Sequence, residues 1–144
     1  MFSKRCEYGI RALVFIANKS KQGLKTGIVE IAPAIDAPEK FIAKILHELT
    51  RQKLVQSQKG PSGGFYLDAK SYNNTLADIV KAIDGDALFT GCALGLDYCS
   101  EKKPCPIHFK FKKVRKDIYD LLQASKLGEL QEQLENKLAY LKQR

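Results

Sequence analysis

The sequence contains no apolar run long enough to cross a membrane and no recognisable export signal. No window of the 144 residues approaches the roughly 18 consecutive apolar residues that a membrane span needs. The apolar stretch near the N-terminus, IRALVFIA, follows Glu7, is interrupted by Arg11 and is not followed by a small-residue cleavage site. These features are typical of an amphipathic helix and not of a signal peptide. We therefore expect a cytoplasmic protein with no membrane partner.

The motifs of common enzymes and nucleotide-binding proteins are absent as well. The glycine-rich stretch KGPSGG lacks the GK[ST] ending of a phosphate-binding loop, and no helix follows it at once. Cys105 and His108 are close enough in sequence to be considered as nucleophile and base, but no further acid–base group accompanies them. We therefore predict that the chain is not an enzyme and has no small-molecule substrate.

Acidic residues are few compared with basic ones. The chain has 24 Lys and Arg against 16 Asp and Glu, which gives a formal charge of +8. Most of the excess lies in residues 1–70, where twelve basic residues face six acidic ones. Nucleic acid is the usual partner of such a surface, because neutralising phosphates releases counterions; a solvated basic surface without a partner is the alternative. The length allows one compact domain.

The basic half has the pattern of a helix-turn-helix. A helix is predicted over 8–17, and a short apolar segment, IVEIA, is expected to end near Pro33, which cannot donate a helical hydrogen bond. Asp36 and Glu39 then have the spacing of a capping box, with Pro38 in the first turn. The apolar row of the next helix is predicted to form one buried face: Phe41, Ile42, Ile45, Leu46 and Leu49.

The opposite face of this helix is basic. Its candidate contacts to double-stranded DNA in the major groove are Lys40, Lys44, His47 and Arg51. An ordinary surface helix with solvated lysines is the alternative. The hairpin that follows favours the first interpretation, because a helix, a second helix, a basic helix and a hairpin in this order are typical of a winged helix-turn-helix.

The predicted hairpin has strands over 54–58 and 65–67 and a glycine-rich tip over 59–64. Glycine permits positive φ and allows the backbone to approach another surface closely. The fold class is therefore predicted to be mainly α with a small β-hairpin wing. The candidate DNA contacts of this wing are Lys59, Gly60, Ser62 and Gly63. A structural hairpin packed on helices is the alternative.

The second half has more apolar surface than one small core can bury. Thr75 and Asp78 have the spacing of a helix start, and Gly85 is expected to end that helix. Two later rows repeat at intervals of three and four: Phe111, Val114, Ile118, Leu121 and Leu122, and then Leu127, Leu130, Leu134, Leu138 and Leu141. We predict that the 109–124 helix packs against its copy in a homodimer. In the alternative, both rows fold back on their own chain.

Three of the four cysteines fall within seventeen residues, CALGLDYCSEKKPCPIH. In a reducing cytosol, clustered cysteines are more often metal or redox sites than disulfides. The gaps in Cys92-x6-Cys99-x5-Cys105-x2-His108 are longer than the tight cysteine pairs of structural zinc sites, which favours a larger iron–sulfur cluster. The spacing alone leaves zinc, redox thiols and buried cysteines open.

Over nearly its whole length the chain resembles the Rrf family of bacterial winged-helix regulators, with its IscR-like and NsrR-like branches. The resemblance is carried by CEYGIRALVFIA, EKFIAKILHELTRQKLV, KGPSGGFYL, TLADIVKAIDG, the cysteine triplet and LGEL. It implies a homodimeric transcriptional regulator with an iron–sulfur cluster on Cys92, Cys99, Cys105 and, as in the IscR-like branch, His108. A 2Fe-2S cluster is favoured and a 4Fe-4S cluster is possible. In the NsrR-like branch an N-terminal acid, here Glu7, serves instead.

The resemblance also implies a division of the chain into three parts. Residues 1–85 would be the winged helix-turn-helix, 86–108 the cluster-binding loop, and 109–144 the dimerisation and C-terminal helices. One departure affects the site: the first cysteine gap has six residues, where many relatives have five. A winged-helix regulator with a zinc or thiol-switch site is therefore the alternative, and a thiol enzyme is less favoured.

Overall fold

In the computed structural model, which describes residues 1–143, the chain forms seven α-helices and one two-stranded hairpin. The helices are α1 (Lys4–Lys21), α2 (Ile28–Ala34), α3 (Glu39–Arg51), α4 (Leu76–Asp84), α5 (Ala87–Thr90), α6 (His108–Ala124) and α7 (Leu127–Glu135). The antiparallel strands β1 (Gln56–Gln58) and β2 (Gly64–Tyr66) lie between α3 and α4. The predicted fold class is thus confirmed. Within this part of the chain, no helix has both the length and the apolar character to cross a membrane.

Helix α1 lies at the centre of the core, and α2, α3, α4 and α7 pack around it. Its buried residues recur at helical spacing and include Leu13, Ile16 and Ala17, so the predicted amphipathic helix is confirmed. Gly9 marks the closest approach of its neighbours. A Cβ at this position would lie 2.6 Å from Ile83 Cδ1 and 3.3 Å from Ile45 Cγ2, so glycine lets three helices meet.

Helices α2 and α3 form the helix-turn-helix. Helix α2 ends one residue after Pro33, as the missing amide hydrogen predicts. Helix α3 buries four apolar side chains against the core: Ile42, Ile45, Leu46 and Leu49. The remaining sides of α3 are exposed or half-buried, which leaves its basic residues free for contact with a partner.

Two expectations about α3 were wrong. Asp36 does not cap the helix with Glu39: it has a φ of 54° in the preceding turn, while Pro38 stands at the N-cap position without a side-chain hydrogen bond. Phe41 is not buried, because it lies at the edge of the apolar row and 53% of its surface is exposed. Its ring packs instead toward Tyr8 of α1, with 6.3 Å between the ring centroids.

The wing is fixed to the helical core at its base. Phe65 of β2 exchanges two backbone hydrogen bonds with Thr26: the Thr26 amide donates to the Phe65 carbonyl at 3.0 Å, and the Phe65 amide donates to the Thr26 carbonyl at 2.8 Å. Gly64 permits this approach, since a Cβ there would lie 2.9 Å from the Thr26 backbone and its φ is 139°. The base is therefore held in place while the tip extends away from the core.

The second half begins with α4, whose predicted start and end are both confirmed. Thr75 and Asp78 form a capping box, with hydrogen bonds of 3.2 and 3.0 Å between each side chain and the other residue's backbone amide. Gly85 follows the helix with a φ of 75°. Helix α7 folds back onto α1 and fully buries Leu127, whereas α6 packs on α4 and α5.

Candidate functional site

The four predicted DNA contacts of α3 lie together on one surface. They line a shallow concavity of about 640 Å³, which also includes Arg5 of α1: Arg5, Lys40, Phe41, Ala43, Lys44, Ile45, His47, Glu48 and Arg51. Arg5 was not recognised from the sequence, because it belongs to a different helix. Its guanidinium forms an ion pair with Glu48, which neutralises the acid on this surface. The concavity is therefore predominantly cationic.

The wing tip is exposed and tightly turned. Lys59, Gly60 and Ser62 are exposed, and the Gly63 amide donates to the Gly60 carbonyl at 2.9 Å. A Cβ on Gly63 would lie 2.1 Å from the carbonyl oxygen of Gln58, so no larger residue fits this turn without backbone movement. The predicted contacts of the wing thus lie on a short loop with a defined shape, and their role in binding DNA stays a prediction.

The cysteine loop, defined here as residues 92–108, connects α5 to α6. Its three cysteines are half-buried and form no disulfide with one another. His108, the first residue of α6, is buried. The Gly95 amide donates to the Cys92 carbonyl at 3.0 Å, and the His108 amide donates to the Cys105 carbonyl at 3.0 Å. Two local turns therefore shape a loop that otherwise has no regular secondary structure.

Within this loop two of the four predicted donors are in direct contact. Cys99 Sγ lies 3.3 Å from His108 Nδ1. For comparison, one sulfur and one nitrogen ligand of a tetrahedral zinc ion are about 3.5 Å apart, given metal distances of about 2.3 and 2.0 Å. Cys105 lies at the same end of the loop as His108, whose amide donates to its carbonyl, and it contributes to a lowered pKa of the Cys92 thiol.

Two side chains of the loop have surroundings that affect their protonation or hydrogen bonding: Cys92 and His108. Hydrogen bonds from the Leu94 and Leu96 backbone, with a smaller contribution from Cys105, lower the pKa of the half-buried Cys92 thiol. His108 Nε2 is buried and has no hydrogen-bond partner among the described residues. A buried imidazole nitrogen without a partner costs free energy, and a metal shared with Cys99 would not recover it, because Nδ1 is the ring nitrogen that faces the sulfur.

The four donors do not converge on a single point. Among residues 1–143, no three His, Cys, Asp or Glu side chains are close enough to hold one metal ion. Glu7, the alternative ligand, lies on α1 and forms an ion pair with Lys4 at 3.1 Å. Cys6 is fully buried in the core beside Asp84, away from the cysteine loop. The ligand set therefore stays a prediction.

Arg115 was not recognised from the sequence as part of this site. It lies on α6, and one of its guanidinium nitrogens donates to the Gly91 carbonyl at 2.7 Å and to Cys99 Sγ at 3.1 Å. A signal was present, because residues seven apart share one face of a helix and Arg115 follows His108 by seven. Helix α6 thus contacts the Cys99 sulfur through two side chains, His108 and Arg115.

Helix α6 leaves an apolar row uncovered. Val114 and Leu121 are 50% and 62% exposed, although they are apolar. They belong to a row with alternating spacing of four and three residues: Ile107, Phe111, Val114, Ile118 and Leu121. This heptad spacing is typical of helices that pair with each other. Leu122 is buried against the chain itself, so the two sides of α6 differ in what they contact.

Comparisons with known proteins agree with this architecture. The Rrf2 family model, described as an iron-dependent transcriptional regulator, matches residues 2–133. A putative HTH-type transcriptional regulator of Aquifex aeolicus is 31% identical over 132 residues, which is 90% of each chain. The HTH-type transcriptional regulator NsrR of Oceanobacillus iheyensis is 26% identical over 139 residues, covering 96% of this chain and 94% of the relative.

Solved structures share the fold at lower identity. CymR, the global cysteine regulator of B. subtilis, superposes with a TM-score of 0.73 at 20% identity, covering 92% of this chain and 96% of CymR. IscR of T. potens gives a TM-score of 0.74 at 19% identity, covering 96% of this chain and 91% of IscR. The resemblance proposed from the motifs is thus confirmed. The matching family and relatives are transcriptional regulators, which agrees with the prediction that the chain is not an enzyme. The chain belongs to the Rrf2 family of DNA-binding, winged-helix transcriptional regulators.

Proposed function

We propose that this chain acts as a homodimeric transcriptional regulator whose cysteine loop holds an iron–sulfur cluster, and that the state of the cluster controls DNA binding. The observation that carries the proposal is the contact between Cys99 and His108, with Cys99 Sγ 3.3 Å from His108 Nδ1, in a loop that also contains Cys92 and Cys105. The similarity to NsrR and IscR supports it.

One close Cys–His pair with two further cysteines in the same loop suits a two-iron cluster better than a single ion. In a 2Fe-2S cluster the four protein ligands are divided two and two, and histidine replaces cysteine on one iron in some proteins. We therefore assign Cys99 and His108 to one iron and Cys92 and Cys105 to the other. A 4Fe-4S cluster, with Glu7 of a second copy as fourth ligand, is the alternative. When bound, the cluster would supply sensitivity to iron–sulfur supply, oxygen or nitric oxide.

We propose that the exposed heptad row of α6 forms the dimer contact. The row runs along one side of a 17-residue helix, and a second copy would cover its exposed apolar side chains. A two-fold dimer presents two copies of α3, and recognition helices about 34 Å apart reach successive major grooves. Lys40, Lys44, His47 and Arg51 would enter the grooves, and the wing tip would contact the adjacent backbone.

The three parts of the chain would then divide the work. Residues 1–85 would read DNA in the cytoplasm, and 86–108 would hold the cluster. Residues 109–144 would supply the dimerisation helix α6 and the C-terminal helix α7, which packs on α1 of its own chain. The loop leads directly into α6, so a cluster that orders the loop would also fix the first turn of the dimer helix. The cluster can shift DNA affinity only as far as it binds the two arrangements of the dimer differently.

The test is purification without oxygen, followed by an absorption spectrum and assays of iron, sulfide and zinc. The proposal expects visible absorption bands and two iron and two sulfide per chain. Cys99→Ala should lose the bands, whereas the matched variant Cys6→Ala, which removes a buried thiol outside the loop, should keep them. Colourless protein with stoichiometric zinc would exclude the cluster.

A second candidate keeps the DNA-binding function and replaces the cluster by a zinc site or a thiol switch. The contribution of Cys105 to the lowered pKa of the Cys92 thiol favours it, since nearby thiols can be oxidised to a disulfide. The similarity to CymR, a cysteine regulator, is a further reason to consider it. Metal-free protein that forms a Cys92–Cys105 disulfide and changes its DNA affinity on oxidation would support this candidate.

A further inference from the structure

We propose that Arg115 is the positioning residue for Cys99: it holds the Cys99 sulfur against α6 and thereby couples the cysteine loop to the helix assigned to the dimer contact. The consequence for the cluster rests on the proposed function, whereas the link between loop and helix does not. None of the sequence motifs includes this residue, and only its position seven residues after His108 points to the site.

The geometry is that of a bridge between two points of the loop region. One guanidinium nitrogen of Arg115 donates to the Gly91 carbonyl at 2.7 Å, just before the loop begins, and to Cys99 Sγ at 3.1 Å. The two acceptors are eight residues apart in sequence. Arg115 therefore closes the first half of the cysteine loop into a ring that is fixed to α6.

Helix α6 holds Cys99 at a second point. His108 Nδ1 lies 3.3 Å from the same sulfur, and His108 and Arg115 are two turns apart on one face of α6. A movement of Cys99 must therefore move α6, or break both contacts. This gives a physical route from a change at the sulfur to the orientation of the dimer helix.

The other cations of this stretch of α6 have different partners. Lys112 forms an ion pair with Glu101, and Lys116 forms one with Asp120 on its own helix at 2.6 Å. Within residues 1–143, Arg115 is the cation of α6 that hydrogen-bonds a loop sulfur. Its planar guanidinium presents several donors in fixed directions, which a lysine ammonium on a flexible stem does not reproduce.

The contact should act on a bound cluster through charge. A cysteine that ligates iron is a thiolate, and a charge-assisted hydrogen bond to its sulfur stabilises the reduced, more negative form of the cluster more than the oxidised form. Arg115 is thus expected to raise the reduction potential. It is also expected to keep residues 91–99 ordered when the cluster is absent.

The experiment compares Arg115→Ala, Arg115→Lys and the control Lys116→Ala, which removes a neighbouring cation that does not contact the loop. Hydrogen exchange of residues 91–100 is measured on reduced, cluster-free protein, and the reduction potential on anaerobically loaded protein. Arg115→Ala should exchange about threefold to tenfold faster in this segment. It should also bind the reduced cluster about tenfold less favourably relative to the oxidised one. For a one-electron couple, this corresponds to a reduction potential about 59 mV below that of the wild type.

The variants separate the possible roles. Arg115→Lys should lower the reduction potential less than Arg115→Ala does, because it keeps the positive charge. It should still lose the protection of residues 91–100 against hydrogen exchange, because a lysine cannot reproduce the hydrogen bonds to both Gly91 and Cys99. Unchanged potential in Arg115→Ala with faster exchange would reduce Arg115 to a support of Gly91 and overturn the role at Cys99. Exchange and potential equal to those of Lys116→Ala would overturn the whole proposal. If the protein takes up no cluster, the proposed function fails, and the exchange measurement alone decides the role of Arg115 in the loop.

Discussion

At the scale of single residues, the four cysteines show how the surroundings decide what one side chain can do. Cys6 is fully buried in the core, and desolvation, followed by the charge and hydrogen bond of Asp84, raises the pKa of its thiol to about 12. Cys92 is half-buried, and hydrogen bonds from the Leu94 and Leu96 backbone lower the pKa of its thiol. A low pKa favours the thiolate that binds metal, so the loop cysteine and not Cys6 has the character of a ligand.

The raised pKa of Cys6 predicts a dependence of stability on pH. A neutral thiol is favoured in the folded state, so its contribution to stability is complete below about pH 9 and is lost as the pH rises toward 12. Between pH 8 and 10.5 the wild type should lose about 1 to 2 kcal/mol more unfolding free energy than Cys6→Ala. Urea denaturation at both pH values measures this difference. Equal losses in the two proteins would show that Cys6 does not titrate in this way.

At the scale of secondary-structure elements, the wing depends on two different properties of glycine. Gly64 has a φ of 139° and a Cβ there would lie 2.9 Å from the Thr26 backbone, whereas Gly60 has a φ of 101° and open space around its Cα. Gly64→Ala combines backbone strain with a clash at the base of the wing, and Gly60→Ala has the strain alone.

Gly64→Ala is therefore expected to cost more stability than Gly60→Ala, by about 1 to 3 kcal/mol, the usual penalty of overpacking. Thermal or urea denaturation of the two variants compares them directly, with Gly60→Ala as the matched control for strain. If both variants lost the same stability, the pairing of Phe65 with Thr26 would not limit the space at Gly64.

Elements with local signals could be predicted from the sequence, and contacts between distant segments could not. The capping box of Thr75 and Asp78 was predictable because all its atoms lie within four consecutive residues. Asp36 has the same kind of spacing, but its φ of 54° is set by the turn that packs α2 against α3. The contacts of Cys99 with His108 and Arg115 depend on the path of the whole loop. The spacing identifies the cysteines as candidate ligands, and only the structure shows which side chains Cys99 contacts.

In the whole molecule, two surfaces are available to the proposed partners. The first is the exposed apolar row of α6. Leu121→Glu places a charge in this row and is expected to convert a dimer into a monomer, because burying an unpaired carboxylate at the contact is unfavourable. Sedimentation velocity measures the change. Leu138→Glu is the control, since Leu138 is 77% exposed and lies beyond α7; a dimer that survives Leu121→Glu would contradict the assignment of α6.

The second surface is the cationic concavity around α3. If Lys44 contacts a phosphate, Lys44→Ala should weaken binding to all duplexes alike and lower the slope of log K against log salt by about 1. If it contacts a base edge, the variant should relax sequence preference instead. Fluorescence anisotropy on several duplexes over a salt series distinguishes the two. Lys110→Ala on α6 serves as the control, and a Lys44→Ala variant that matches it in affinity, slope and preference would remove Lys44 from the DNA surface.

The central claim is that the cysteine loop holds two irons, one on Cys99 and His108 and the other on Cys92 and Cys105. The most direct test is the Mössbauer spectrum of protein loaded with ⁵⁷Fe without oxygen. The account predicts two iron environments in equal amounts, one with a nitrogen ligand and one with sulfur ligands alone, and predicts that His108→Cys makes them alike. A spectrum with a single iron environment in the wild-type protein, or protein that takes up no iron, would contradict it.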